Sequence, residues 1–293
     1  MEGEERCSRR GCVRTCGRRR GRSGWTRGGT DVPTELLPGG EGMVFALAVV
    51  IGVLAAIVNM VAGGGSALSL GLLLASGMPP QVANGTNRLV ILVQSVTGAV
   101  ALGRRRRIPV RAALGALPAA AVGTVLGAWS ASVMDEGVFR MALAWVFVAM
   151  GVVLVFELWR GRRGGGSAPV CRGEAVLRWW MHPALLAAGF MAGFVQMGVG
   201  ILVLLVLHVL GRMEIVASNA IKIVLAVMFS VVSLTVFVLA GQVDWRAGLG
   251  LALGGWLGAV LGIRLMLRLP ANVVRGALVV FVLLAAWRLF AAG

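Results

Sequence analysis

The chain has 293 residues, of which 58% are hydrophobic and 14% charged, and its mean hydropathy is +0.87. Soluble domains contain about 45–50% apolar and about 25% charged residues, so these proportions exclude a soluble globular protein and predict an integral membrane protein. The formal net charge of +16 comes from 28 basic and 12 acidic residues, and every basic residue except Lys222 is arginine.

Residues 1–42 form an Arg/Gly-rich head that precedes the first apolar run. This head lacks apolar periodicity and the hydrophobic core of a signal peptide, so we predict that it is disordered. It contains Cys7, Cys12 and Cys16, whose spacing fits neither a disulfide framework nor a zinc site. A nucleic-acid or metal-binding tail is one alternative, and translation from Met43 is another. We predict no metal, no cofactor and no nucleic-acid partner for the chain.

Eight apolar runs follow the head. A membrane-spanning helix needs about 20 predominantly apolar residues, so we predict one spanning helix for each run. The runs are 43–62, 83–102, 109–130, 137–158, 182–200, 217–240, 246–264 and 271–290. Two further apolar stretches, 66–76 and 201–210, have only about half the required length. We expect half-helices or re-entrant segments there.

The arginines predict the membrane orientation, because positive residues stay on the cytoplasmic side of short loops. Eight spans with a cytoplasmic N-terminus put 12 basic residues of the body inside and five outside. Counting the two short stretches as full crossings would instead put the four-arginine run 104–107 outside. We therefore predict a multi-pass membrane protein with both termini in the cytoplasm. The last outer loop fits least well, because it holds Arg264, Arg268 and Arg275.

The two halves of the body resemble each other. Residues 55–107 align with 189–241 at a constant offset of 134, and the similarity continues after a one-residue insertion. This duplication predicts a first transmembrane repeat at 43–158, a basic cytoplasmic linker at 159–181 and a second transmembrane repeat at 182–293. Four spans in each repeat are an even number, which predicts parallel repeats related by an axis along the membrane normal. The predicted fold is therefore all-α, with about eight transmembrane helices in two parallel four-helix repeats and short half-helices.

A glycine-rich break follows the first span. Gly63, Gly64 and Gly65 precede Ser66, and three consecutive glycines give the backbone high conformational freedom. Exposed backbone is tolerated at membrane depth only beside protein or a water-filled cavity. A helix that begins here would direct its free N–H groups toward an anion, whereas the alternative role is close helix packing. The second half has a weaker break at 197–200, preceded by the amide side chain of Gln196.

Arg88 and Lys222 are cations at equivalent positions of the two repeats, each about six residues into its predicted span. A charge at the middle of a bilayer costs about 2.5–3.5 kcal/mol on insertion scales, so we predict that the pair forms a two-sided anion cradle. The alternative is that both side chains reach the outer interface. Small polar residues precede each cation and complete the predicted substrate site: Asn84, Thr86 and Asn87 in the first repeat, and Ser218 and Asn219 in the second.

Other small and polar residues favour helix packing. Gly254, Gly258 and Gly262 form a small-xxx-small series that aligns with Ala119, Gly123 and Gly127, and such series allow close contact between helices. Asn59 and Gln94 are predicted to form hydrogen bonds between helices. Among these residues they are also the best candidates to touch a substrate.

These features together resemble the TauE/SafE sulfite-exporter family over residues 43–290. The resemblance rests on the glycine-rich break, Gly-x-Pro-Pro at 77–80, Val-Ala-Asn-Gly-Thr-Asn at 82–87 and Ile-Pro at 108–109. The second half adds Ala-Ser-Asn-Ala at 217–220 and Gly-Gln-Val-Asp-Trp-Arg at 241–246. The resemblance implies transport of sulfite, sulfonates and related organosulfur anions across the bacterial inner membrane. It also implies a transport core at Gly63, Gly64, Gly65, Asn84, Gly85, Thr86 and the equivalent segment of the second half. The chain departs from the family pattern in the second half, where only Gly198 and Gly200 remain of the expected glycine run.

We therefore predict a secondary transporter for a small sulfur-containing oxyanion or organosulfonate, embedded in the lipid bilayer. An enzyme is disfavoured, because the few cysteines, histidines and acids of the body lie mostly in loops or at boundaries. No phosphate-binding loop of the Gly-x4-Gly-Lys-Ser/Thr type is present in the sequence, which argues against direct nucleotide drive. A membrane scaffold or assembly protein without transport activity is the alternative. The exact substrate, the direction, the coupling ion and formation of a homo-oligomer stay open.

Overall fold

The apolar runs of the sequence form helices, and no strand occurs among the described residues. The computed structural model describes residues 40–62, 65–103, 109–162, 178–265 and 271–291, which all belong to the compact unit Asp31–Gly293. Residues 1–39 of the head predicted to be disordered, the glycines Gly63 and Gly64, and most of the predicted linker lie outside the described residues. The prediction of disorder to residue 42 extends too far, because α1 begins at Gly40.

Ten α-helices follow one another along the described chain. The first five are α1 (Gly40–Ala62), α2 (Gly65–Ala75), α3 (Pro80–Gly103), α4 (Val110–Val133) and α5 (Glu136–Arg162). The second five are α6 (His182–Phe194), α7 (Val199–Leu204), α8 (Ile215–Leu239), α9 (Trp245–Leu265) and α10 (Ala271–Ala291). A short 3-10 turn, Trp179–Met181, precedes α6, and a π-helical turn, Leu205–Leu210, continues α7. The two short apolar stretches thus form short helices, as predicted.

Three of the described helices contain segments that are long and apolar enough to cross a membrane. These segments are Val110–Val133, Glu136–Phe156 and Ala217–Leu239. Four shorter apolar helical segments accompany them: Phe45–Asn59, Gly65–Ala75, Val199–His208 and Val279–Leu289. The all-α membrane class is therefore confirmed, whereas the total of eight spans stays a prediction. The predicted fifth span, 182–200, is too long, because α6 ends at Phe194.

Glycines bring two pairs of helices into close contact. A Cβ atom on Gly258 of α9 would overlap the Val53 carbonyl oxygen of α1, and one on Gly123 of α4 would overlap the Leu186 carbonyl oxygen of α6. The backbones approach this closely only because glycine has no side chain. The prediction of close packing is confirmed for these glycines, and α1 pairs with α9 in the same way as α4 pairs with α6.

The order of these contacts along the helices gives the helix directions. On α1 and α9, Phe45 meets Gly250 and Val53 meets Gly258, so the two helices run in the same direction. The same progression relates α3 and α9, because Thr86 contacts the start of α9 and Gln94 lies 3.6 Å from the Cβ position of Gly255. Helices α1, α3 and α9 are therefore parallel, and α2 returns the chain between the first two.

Hydrogen bonds assemble helix starts and helix ends at one end of the bundle, here called end A. Thr86 at the start of α3 bonds to the residue before α9, and Gln81 bonds to Met134 beyond the end of α4. Gln242, after the end of α8, donates to the Ser132 carbonyl oxygen of α4 over 2.8 Å. Helices α1, α3 and α9 thus begin at end A, where α4 and α8 end. The opposite end is called end B.

The helix directions contradict the predicted parallel relation of the repeats. Helix α6 runs in the same direction as α4, because Ala120 contacts Gly189 and Thr124 contacts Gly193. Since α4 runs toward end A, α6 does so too, opposite to its repeat equivalent α1. The reason is that α2 carries the chain back, so each repeat contains five directed segments rather than four. An odd number inverts the second repeat relative to the first, which is the other common arrangement of transporter repeats.

Candidate anion site at two helix breaks

The second helix break lies between α6 and α7. Val195 is extended (φ −144°, ψ 109°), and Gly198 has the left-handed φ of 68° just before α7. The left-handed backbone angle favours glycine, and a Cβ atom there would also lie 2.6 Å from the Met150 sulfur, so the Met150 side chain would have to shift. The break predicted around residues 197–200 is confirmed. It leaves the last carbonyl groups of α6 without helical partners.

Arg88 on α3 fills this gap. Its side chain is fully buried, and its two terminal nitrogens donate hydrogen bonds of 2.6 to 3.2 Å. The acceptors are the carbonyl oxygens of Ala192, Gly193 and Phe194, Asn84 Oδ1 and Gln196 Oε1. The ring centroid of Phe237 lies 5.4 Å from the guanidinium carbon. The carboxyl end of a helix carries partial negative charge, so α6 itself stabilises this buried cation.

Two amide side chains, Asn84 and Gln196, add hydrogen bonds to the contact between Arg88 and the end of α6. Asn84, one turn before Arg88 on α3, also donates from Nδ2 to the Phe194 carbonyl oxygen over 2.8 Å. Gln196 lies within the break, and its Nε2 donates to Ser230 Oγ of α8 over 3.1 Å. A polar network therefore joins α3, the end of α6 and the middle of α8.

Lys222 on α8 has a different environment from its repeat equivalent. In the part of the chain that the structure describes, its side chain makes no hydrogen bond or ion pair. A Cβ atom on Gly200 would lie 3.5 Å from Lys222 Cδ, so the lysine stem lies over the first turn of α7. Ala226 and Ser230, which both contact Gln196, follow Lys222 at intervals of one helical turn on α8. Gln196 therefore packs against the face of α8 on which Lys222 lies.

The first break lies between α1 and α2, and Gly65 is its described part. A Cβ atom on Gly65 would overlap the Ala55 carbonyl oxygen, so α2 begins directly against α1. On the next helix, Asn87 Oδ1 accepts a 2.6 Å hydrogen bond from Ser69 Oγ of α2, and Asn87 Nδ2 donates over 3.5 Å to the Ser66 carbonyl oxygen.

Asn59 and Gln94 form the predicted hydrogen bond between helices. Asn59 Nδ2 on α1 donates to Gln94 Oε1 on α3 over 2.9 Å. Among the described residues, amide and hydroxyl groups rather than a cation therefore border the first break. Arg88, although adjacent to Asn87 in sequence, donates its hydrogen bonds at the second break instead.

The remaining predicted site residues are dispersed. Thr86 is fully buried, and its Oγ1 accepts a 2.9 Å hydrogen bond from the Asp244 backbone N–H, away from the Arg88 network. Ser218 is fully buried, and its hydroxyl has no hydrogen-bond partner. Asn219, half-buried, makes no side-chain hydrogen bond within the described structure.

Sequence reasoning missed three contributors to this region. The α6 carbonyl groups carry no side-chain signature, and Phe237 is one of many apolar residues of α8. Asp244 did have a signal, because an aspartate directly before an apolar helix is typical of an N-cap. Its Oδ1 accepts hydrogen bonds from the backbone N–H groups of Arg246 and Ala247 at 2.9 and 3.0 Å.

Comparison with known proteins places this arrangement in context. Residues 48–289 match the family model described as "Sulfite exporter TauE/SafE". The chain is 25% identical over 237 residues to a "Probable membrane transporter protein" of Haemophilus influenzae, covering 81% of this chain and 91% of that protein.

Two further relatives have similar names. "Probable membrane transporter protein ORF9" of Sinorhizobium sp is 27% identical, with 81% of this chain and 89% of the relative covered. "Probable membrane transporter protein YfcA" of Escherichia coli is 25% identical, with 78% of this chain and 83% of the relative covered. No solved structure matches the chain.

Proposed function

Because the chain belongs to the sulfite exporter TauE/SafE family, we propose that it is a secondary transporter for a small sulfur-containing oxyanion or organosulfonate. Its relatives are named probable membrane transporter proteins, and its helices include segments apolar enough to cross a membrane. The observation that carries the proposal is Lys222, a cation within an apolar helix whose side chain makes no hydrogen bond or ion pair in the described structure. Neither Arg88 nor Lys222 has a carboxylate partner in the described structure.

The proposed anion site lies at the second break, where Lys222 extends over the start of α7. Its ammonium group has no hydrogen-bond acceptor there, and the first N–H groups of a helix have no helical partners. A sulfite or sulfonate group offers three oxygens that accept charge-assisted hydrogen bonds. Gln196 lies within the break, and Ser218 lies one helical turn before Lys222 on α8, so we include both in the site.

The first break would line the transport path on the side opposite Lys222. Gly63, Gly64, Gly65 and Ser66 would supply backbone groups there, with Asn87 beside them. Asn84 and Thr86 would position α3, since their side chains are engaged by Phe194 and Asp244. Asn219 would complete the second side next to Ser218.

The inverted helix directions suggest a different orientation from the one predicted above. Fourteen of the 19 basic residues of the body are assigned to end B. Each is either close to a helix end at end B or belongs to a segment that connects two helix ends at end B. They are 104–107, Arg111, Arg160, Arg162, Arg163, Arg172, Arg178, Arg212, Arg264, Arg268 and Arg275. Only Arg140, Arg246 and Arg288 belong to end A. The positive-inside rule then puts end B in the cytoplasm and both ends of the transmembrane body on the outer side.

Transport by purified protein in proteoliposomes tests the function. We expect uptake of labelled sulfite or sulfoacetate by the wild type. Lys222→Gln should lower Vmax/KM about tenfold or more, because a hydrogen bond to a charged group contributes about 1.5–3 kcal/mol. Lys222→Arg, which keeps the charge, is the matched control and should retain most of the activity.

A thermal-shift panel of sulfite, sulfate, thiosulfate, taurine and sulfoacetate identifies the anion independently, because a ligand of the folded state raises its stability. No transport of any of these anions by folded wild-type protein, together with no thermal shift, would contradict the proposal. That result would favour a scaffold role.

A further inference from the structure

The two equivalent cations are used differently in this structure. We propose that Arg88 is a positioning residue that fixes the broken end of α6 to α3, and that Lys222 is the cation that contacts the transported anion. This inference rests on the proposed transport function, and it divides the roles that the sequence had given jointly to the pair.

The donors on the two terminal nitrogens of Arg88 are already committed. Four of its five N–H groups belong to the two terminal nitrogens, which donate to five acceptors on α3, α6 and the break. The remaining donor, Nε, is buried without a partner in a side chain that is 0% exposed. An anion that approached the terminal nitrogens would have to displace the carbonyl groups of α6 and leave these buried acceptors unpaired. Nε is closed to an anion by burial, because the whole side chain is enclosed by protein.

Arg88 also joins the two repeats. It belongs to α3 of the first repeat, and three of its acceptors are the last carbonyl groups of α6 in the second repeat. A lysine at this position has one nitrogen and cannot reach acceptors in the planar fork geometry of a guanidinium. The contact therefore depends on arginine in particular, as expected for a side chain that fixes geometry.

The repeat equivalent of this arrangement is missing around Lys222. At the offset of 134, the residues that correspond to Ala192, Gly193 and Phe194 are Val58, Asn59 and Met60. These residues lie inside α1, which continues to Ala62, whereas α6 ends at Phe194. The last four carbonyl groups of α1 also lack helical partners, but Lys222 donates no hydrogen bond to any of them in the described structure. The ammonium group of Lys222 is thus left for a ligand.

Four variants test this division: Arg88→Lys, Arg88→Gln, Lys222→Arg and Lys222→Gln. For each, the melting temperature without ligand, the anion-induced thermal shift, and KM and Vmax per folded molecule are measured. We expect Arg88→Lys to lower the ligand-free melting temperature by about 5 °C or more, because breaking a buried charge contact is strongly destabilising. Its Vmax should fall while its KM stays within about twofold of the wild type.

Lys222→Gln should show the reverse behaviour. We expect its ligand-free melting temperature to equal or exceed that of the wild type, because a charge without a partner is removed. Its KM should rise about tenfold or more, its anion-induced shift should disappear, and Lys222→Arg should restore both. If Arg88→Gln does not fold, Arg88→Lys alone still carries the comparison.

The proposal is overturned if Arg88→Lys keeps the wild-type melting temperature and raises KM, because Arg88 would then contact the anion. It is also overturned if Lys222→Gln leaves KM unchanged. Failure of the transport function itself gives a different result, since wild-type protein would then move no anion. The melting temperatures would still decide whether Arg88 fixes α6.

Discussion

Thr86 and Asp244 form a hydrogen-bonded pair that connects α3 with the start of α9. Thr86 Oγ1 accepts from the Asp244 N–H, and Asp244 Oδ1 accepts from two N–H groups in the first turn of α9. An N-cap of this kind satisfies backbone donors that have no helical partner. The sequence had placed Thr86 among the substrate-binding residues because it precedes Arg88. In the fold, the Thr86 hydroxyl oxygen accepts a hydrogen bond from the backbone N–H of Asp244.

We expect Thr86→Val to destabilise the protein without changing substrate affinity. Valine has nearly the same shape but no acceptor, so the buried Asp244 N–H loses its partner at a cost of about 1–3 kcal/mol. Thr86→Ser, which keeps the hydroxyl group, should be closer to the wild type. Thermal unfolding in detergent measures the stability, and transport KM measures affinity. A raised KM at unchanged stability would instead assign Thr86 to the substrate.

At the scale of elements, glycines determine which helices come into contact. Gly258 lies against the Val53 backbone of α1, and Gly123 lies against the Leu186 backbone of α6. The obstacle to a larger residue at either place is a main-chain atom, which cannot move aside as a flexible side chain can. These two contacts are repeat equivalents, and each holds a helix of one repeat against a helix of the other.

We expect Gly258→Ala to lower the free energy of unfolding by about 1–3 kcal/mol through overpacking. The matched control is Gly98→Ala in α3, where a Cβ atom would meet nothing within 4 Å. Alanine is the better helix former, so the control should be neutral or more stable by about 0.5–1 kcal/mol. Thermal unfolding of both variants gives the comparison. Equal effects would contradict the close backbone contact.

At the scale of the whole molecule, α2 determines the orientation of everything that follows it. Because α2 returns the chain, α3 runs parallel to α1 and the second repeat is inverted. The three arginines that fitted least well to eight alternating spans, Arg264, Arg268 and Arg275, then fall on the same side as the four-arginine run. The basic residues are distributed more unequally in this arrangement than in the predicted one, as the positive-inside rule favours.

Cysteine labelling across the membrane tests the orientation, with single cysteines at the two ends of α8 in a background whose native cysteines are serine. We expect Ala240→Cys to react with a membrane-impermeant maleimide in intact cells, and Glu214→Cys to react only after permeabilisation. Glu136→Cys and Arg178→Cys are reference positions, outside and inside respectively in both arrangements. All four positions are exposed. Labelling of Glu214→Cys but not Ala240→Cys in intact cells would restore the orientation with cytoplasmic termini.

The sequence by itself determined the membrane class, the approximate positions of most described helices and the second helix break. These are local properties: the length of an apolar run predicts a helix, and glycine allows the chain to break. It also identified Arg88 and Lys222. A charged side chain inside an apolar segment raises the free energy of membrane insertion, so such a residue is a candidate for a functional role.

Only the tertiary structure decided the direction of the helices and the separate environments of the two cations. Whether a segment as short as α2 returns the chain depends on its contacts with α1 and α3, and its length alone fits either arrangement. The acceptors of Arg88 are carbonyl groups more than 100 residues away, at the end of α6. Backbone acceptors are the same in every residue, so no sequence pattern distinguishes those that a helix break leaves free.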